Sequence, residues 1–135
     1  MVRYVSNYIE SVKNIKKRYC PQNDPFYAKY FFRPLSFLIS PLFIKLKLSG
    51  NLVTFLGAIT GCLALFFFIL GSHNYWRYGA VVFLLTVLLD FVDGTICRET
   101  DSTSFFGKFF DGMIDTLVFT PLPVCMGIGL HTVYN

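Results

Sequence analysis

The alternation of apolar and polar positions divides the chain near residue 50. Upstream, Val2, Val5, Tyr8, Ile9, Val12, Ile15 and Tyr19 fall on one helical stripe, with Arg3, Asn7, Glu10, Lys13, Asn14 and Lys17 elsewhere. That pattern predicts an amphipathic helix over residues 1–20 lying in a membrane surface, although a helix packed on a soluble partner carries the same stripe. Residues 21–25, bounded by two prolines, predict a break. Residues 26–48 form an aromatic-rich segment interrupted by Arg33-Pro34 and Pro41 and closed by Lys45 and Lys47. Its uncharged part, residues 34–44, is shorter than the roughly 20 apolar residues a span requires, so it is expected in the interface.

Downstream, the periodicity gives way to long apolar runs, which predict spans over about 51–71, 77–98 and 104–130. Ser49 or Asn51 can cap the first, whose Gly57 and Gly61 form a G-x-x-x-G pair suited to close helix approach. A short loop over residues 72–77 places Tyr75 and Trp76 at the interface. A polar turn over residues 99–104 offers Asp101, Ser102, Thr103 or Ser104 as the next cap. Pro121 and Pro123 are expected to bend the third span. The predicted fold class is all-α, an integral membrane helical bundle in which N-terminal amphipathic and juxtamembrane helices (residues 1–50) precede a transmembrane half-domain of three helices (residues 51–135).

Composition agrees with that reading. Hydrophobic residues make up 54% of the 135, against 15% charged, too apolar for an ordinary soluble domain. Net charge is +4, and nine of the twelve Lys and Arg precede the first long apolar run. This asymmetry predicts a cytoplasmic N-terminus on anionic lipid, not a nucleic-acid binder. The turn between the second and third spans is then cytoplasmic too; were residues 34–44 to cross, the orientation would invert. Cys20, Cys62, Cys97 and Cys125 show no C-x-x-C pairing and read as small core residues, not a zinc site or disulfide framework. His73 and His131, near the ends of apolar runs, read as interfacial, and no signal peptide is expected.

Against this background Asp90, Asp93, Asp111 and Asp115 stand out. An ionised group at membrane depth is costly and marks a functional site facing a cavity. At about 100° per residue, Asp90, Asp93, Gly94 and Cys97 share one face of the second span, with Arg98 at its edge, and Gly107, Asp111 and Asp115 share one face of the third. Counted at about 1.5 Å per residue from the connecting turn, Asp90 lies roughly 12 Å from Arg98 and Asp111 roughly 10 Å from Ser104, so the two stripes meet at one level. Oxygen-only donors select hard cations, and four negative charges balance two divalent ions, Mg²⁺ or Mn²⁺. Such a pair suits displacement at phosphorus, with Arg98 as a phosphate clamp. Gly94 and Gly107 are expected to admit a phosphorylated ligand, whereas Gly57, Gly61 and Gly112 read as packing points.

These residues resemble the signature of the CDP-alcohol phosphotransferases, integral membrane enzymes of phospholipid synthesis: D-x-x-D-G-x-x-A-R, then seven or eight residues, then G-x-x-x-D-x-x-x-D. The order here is Asp90, Asp93-Gly94, Cys97-Arg98, eight residues, Gly107, Asp111 and Asp115, with Cys97 in place of alanine. Residues 51–54 resemble the family's P-N-x-x-T element, with Gly50 in place of proline. The resemblance implies transfer of a phosphatidyl or related phospho-group from a CDP-linked lipid or alcohol donor to an alcohol acceptor, with release of CMP. It implies that Asp90, Asp93 and Asp111 hold the metals, with Asp115 both a ligand and the general base, and that Gly94, Arg98, Gly107 and, less directly, Asn51 and Thr54 contact the CDP moiety. It also implies a six-span homodimer, of which this sequence carries three spans. The expectation is a complete motif half with the acceptor-pocket helices missing, as in an inactive truncated fragment or a minimal version assembled from several copies.

Two other classes compete. Asp90 to Thr95 resembles the D-x-D-G-T strand motif of haloacid dehalogenase phosphatases, but aspartates three apart point to one face of a helix. A non-enzymatic, divalent-cation-binding membrane protein would explain the acids but not Arg98 and the glycines.

Overall fold

The computed structural model describes residues 2–18, 25–100 and 105–134, the side chains of residues 2–6 and 18 aside. The features expected at Tyr19, Cys20, residues 21–24 and the capping positions Asp101 to Ser104 lie outside the described residues. Among the described residues six α-helices follow one another: α1 (Val2–Arg18), α2 (Arg33–Lys45), α3 (Gly50–Ile69), α4 (His73–Glu99), α5 (Phe105–Phe119) and α6 (Leu122–Tyr134), with a π-helical turn, Ala28–Phe32, leading into α2. No strand occurs among the described residues, and three helical stretches, Gly50–Ile69, His73–Glu99 and Phe105–Tyr134, are long and apolar enough to cross a membrane. The chain is an all-α membrane helical bundle.

Element boundaries follow local chemistry. Ser49 is the cap of α3, its hydroxyl accepting the Leu52 amide at 3.3 Å. The loop expected over residues 72–77 is shorter, because α4 begins at His73, directly after Ser72 in extended conformation. The chain reverses at Gly71, whose φ of +67° is open to glycine and costly to other residues. A side chain there would also run into Gly129 and Thr132 of α6. The third span is interrupted: α5 stops at Phe119 and α6 resumes at Leu122, since Pro121 has no amide hydrogen to continue the ladder. It also extends past the expected end at residue 130, to Tyr134. Upstream, Pro34 cannot supply the amide that would close an α-turn onto Tyr30, and the preceding turn is wound wide, with the Arg33 amide donating to the Ala28 carbonyl.

α3 is the hub, packing on α4, α5 and α6. Two clusters hold it. Val53, Val92 and Ile96, all fully buried, pack with Ile39, Phe43 and Leu89 where α2, α3 and α4 converge. Ala64, Leu65, Phe68 and Cys125 pack with Trp76, Val82 and Leu122 where α3, α4 and α6 meet. In an apolar phase such contacts act through shape complementarity, not water release. Thr86 of α4 donates to Thr60 of α3 at 2.9 Å, and Thr60 donates onward to the Gly57 carbonyl at 2.9 Å. An interhelical bond of this kind contributes about 0.6 kcal/mol. Among the described residues direct packing between α4 and α5 is sparse, with Phe83 edge-on to Phe119 at 5.4 Å.

α2 lies on α4, where Phe32 stacks on Phe91 at 5.3 Å and the Arg33 guanidinium sits 5.0 Å from the same ring. Ser36 and Ser40, fully buried, turn their hydroxyls back onto the carbonyls of Arg33 and Ser36. The amphipathic α1 docks on α2, with Ile15 buried and the Tyr8 hydroxyl bonded to the Leu38 carbonyl.

Candidate active site

Asp90 and Asp93 are three residues apart on α4, which puts both on the face that α3 leaves open toward α5. One carboxylate oxygen from each of Asp90, Asp93 and Asp111 can be chosen so that all lie within 4.8 Å of one another. Asp115, one turn beyond Asp111, lines the same cleft, together with Thr54 and Gly57 of α3, Thr86 of α4, and Ile114 and Val118 of α5. The cleft is narrow, with a volume of about 10 Å³, near the room one water needs.

α3 supplies both the positioning and the spacing. Asp93 is 4% exposed, and the Thr54 hydroxyl donates to its Oδ2 at 2.6 Å while also lying 3.1 Å from the Gly50 carbonyl. A buried carboxylate without a donor is costly, so this bond fixes which way Asp93 points. Gly61 sets the depth at which α5 sits: a Cβ there would come within 2.6 Å of the Val118 side chain. Of the three glycines expected only to pack, Gly61 does so and Gly57 also lines the cleft. Gly112 does not, because a Cβ there would meet nothing within 4 Å on its open face.

The remaining expected site residues flank the cleft without lining it. Arg98 is exposed and folds back on its own helix, its Nε donating to the Gly94 carbonyl at 2.7 Å. A Cβ on Gly94 would meet only the Arg98 guanidinium, at 3.3 Å. Gly107 is half-buried on α5, and Asn51 is exposed in the first turn of α3. Cys97 packs against Gly50, Cys125 is a core residue as expected, and Cys62 is exposed instead.

Arg33 is a feature that sequence reasoning passed over as part of a helix interruption. It is 8% exposed, and its charge acts electrostatically on Asp90. The signal was a single cation inside an otherwise apolar aromatic segment, where a buried arginine needs a negative partner or an aromatic face.

Three carboxylate oxygens at this separation suit a hard divalent cation. Donors around one ion at about 2.1 Å stand no more than about 4.2 Å apart, a difference from 4.8 Å that a small carboxylate rotation closes.

Comparison with curated proteins and with solved structures gives no match. A family model described as CDP-alcohol phosphatidyltransferase matches residues 47–134. That domain supports phosphatidyl transfer from a CDP-alcohol in lipid synthesis, carried out in the membrane by a family that is generally dependent on divalent metal. Because the match takes in all three apolar helices and the whole aspartate motif, the chain belongs to the CDP-alcohol phosphatidyltransferase family.

Proposed function

We propose that the chain transfers a phosphatidyl or related phospho-group from a CDP-linked donor to an alcohol, releasing CMP, with Mg²⁺ or Mn²⁺ as cofactor. The observation that carries this reading is the convergence of Asp90, Asp93 and Asp111 within 4.8 Å in a cleft shared with Asp115. Asp90, Asp93, Asp111 and Asp115 would hold two divalent ions, which when bound neutralise charge on the attacking and leaving oxygens.

The chain's own groups do the rest. Asp115 takes the proton of the acceptor hydroxyl as its oxygen attacks phosphorus, and the phosphorus–oxygen bond to CMP breaks. Thr54 keeps Asp93 oriented through their hydrogen bond. Arg98 swings from the Gly94 carbonyl onto a donor phosphate, and the side-chain-free edges of Gly94 and Gly107 admit the cytidine diphosphate. Asn51, exposed at the entry to α3, contacts the same moiety. The excess of Lys and Arg before α3 supports a site open to the cytoplasm. The family resemblance supports a homodimer.

The test is purified protein in lipid nanodiscs with Mg²⁺, CDP-diacylglycerol or a CDP-linked head group, and a panel of alcohols, read as CMP release. Release that needs the acceptor and is lost in Asp115→Asn is the expected result. No release with any pair, or equal release by Asp115→Asn, removes this mechanism.

A further inference from the structure

A second cavity, of about 540 Å³, lies between α1 and the segment leading into α2. Its walls include Val12 and Lys16 of α1, Lys29 and Tyr30 of the π-helical turn, and Arg33 and Phe37 of α2. None of its described lining residues is acidic, and none lines the carboxylate cleft. The charges are arranged in depth. Arg33 is almost wholly buried, beside the Phe91 ring, whereas Lys16 and Lys29 are exposed. Lys29 holds its ammonium 5.8 Å from the centre of the Tyr30 ring, so an aromatic wall adjoins the cations. Three basic residues lining one cavity favour an anion there, whereas a neutral apolar ligand would strip water from their charges without replacing it. The apolar side chains beside them suit the carbon skeleton of an ester.

We propose that this cavity binds a phosphate-ester anion, its phosphate among Lys16, Lys29 and Arg33 and its alkyl part against Val12, Tyr30 and Phe37. The cavity shares no lining residue with the carboxylate cleft, and this binding goes beyond the transfer activity. Two sources carry this chemistry: the headgroup of an anionic membrane phospholipid and a soluble phosphomonoester.

The experiment is native mass spectrometry of the full chain in neutral detergent, with phosphatidylglycerol against phosphatidylcholine in one arm and glycerol phosphate in the other. The expected result is retention of a phosphate ester in at least one arm, weakened about fivefold by Lys16→Gln and by Lys29→Gln. Lys13→Gln, on the same helix but outside the cavity, leaves retention unchanged. Preference for phosphatidylglycerol assigns the lipid source, and binding of glycerol phosphate alone assigns the soluble one. Binding in neither arm, no preference for phosphatidylglycerol over phosphatidylcholine without glycerol phosphate binding, or an equal loss in Lys13→Gln overturns the proposal. Both lysines are exposed, so their replacement leaves the fold in place.

Discussion

The Cys97 thiol occupies the space that a side chain at residue 50 would need: a Cβ on Gly50 would lie 2.2 Å from the Cys97 Sγ and 3.6 Å from the Asp93 carbonyl oxygen. Residues 50 and 97 are also the two positions at which the motif departs from its family's pattern, proline and alanine there. The two departures are in contact, so they read as one exchange of volume between α3 and α4. Gly50 is the first residue of α3, a position that favours proline. Gly50→Pro alone is therefore expected to lower the midpoint of thermal unfolding, and Gly50→Pro with Cys97→Ala to restore or exceed it. A coupling of about 1–3 kcal/mol in the double-mutant cycle is the expected size, and additive effects would contradict the pairing.

Thr54→Val keeps the shape of the side chain and deletes the donor to Asp93. With Asp93 free to rotate, divalent-cation affinity should fall about 10–100-fold, as it does when a group orienting a metal ligand is lost. Thr54→Ser should recover most of it. Mn²⁺ titration followed by electron paramagnetic resonance measures both; unchanged affinity in Thr54→Val would mean the bond is incidental.

The clustered carboxylates repel one another when no cation is present. Each carboxylate that ionises there does so within 4.8 Å of an oxygen of its neighbours, so charge in the cleft is resisted until a cation enters. Asp111→Asn is expected to raise the unfolding temperature in chelator and to remove the further rise that Mg²⁺ gives the native chain. Thermal scans with and without Mg²⁺ decide it, and a variant less stable than the native chain in chelator would refute the repulsion argument.

Gly61 and Gly112 should part company under the same substitution. Gly61→Ala drives a methyl group into Val118, one turn from Asp115, at an expected cost of about 1–3 kcal/mol and with weaker metal binding. Gly112→Ala meets open space and should be neutral or stabilising by up to about 1 kcal/mol. Unfolding of both variants in one detergent compares them directly, with Val118→Ala expected to rescue only the first.

The convergence of the aspartates was legible because charge at membrane depth has few explanations, and helical spacing plus depth counting suffices to make two stripes face each other. The three apolar helices were legible for the same reason, their length being set by the bilayer. Arg33 was not, since its burial depends on how a proline-widened turn rotates the chain onto Phe91, which no local pattern encodes. Nor was the difference between Gly61 and Gly112: both are glycines on apolar helices, and only the position of α5 against α3 separates them. The early start of α4 at His73 was hidden because Tyr75 and Trp76, read as loop residues in an interfacial belt, are equally at home on a helix. Trp76 there donates to the Phe68 carbonyl at 3.2 Å.

The sparse packing between α4 and α5 gives the acidic cleft a mechanical character. Among the described residues the two helices approach at Phe83 and Phe119 and at the facing aspartates, and each also packs on α3, so they resemble the arms of a calliper mounted on a common bar. That bar holds both sides of the aperture, Asp93 through Thr54 and α5 through Gly61 against Val118. An ion or phosphate gripped by both arms would therefore serve as a strut. Occupancy at the cleft would tie α4 to α5 where direct packing between them is sparse.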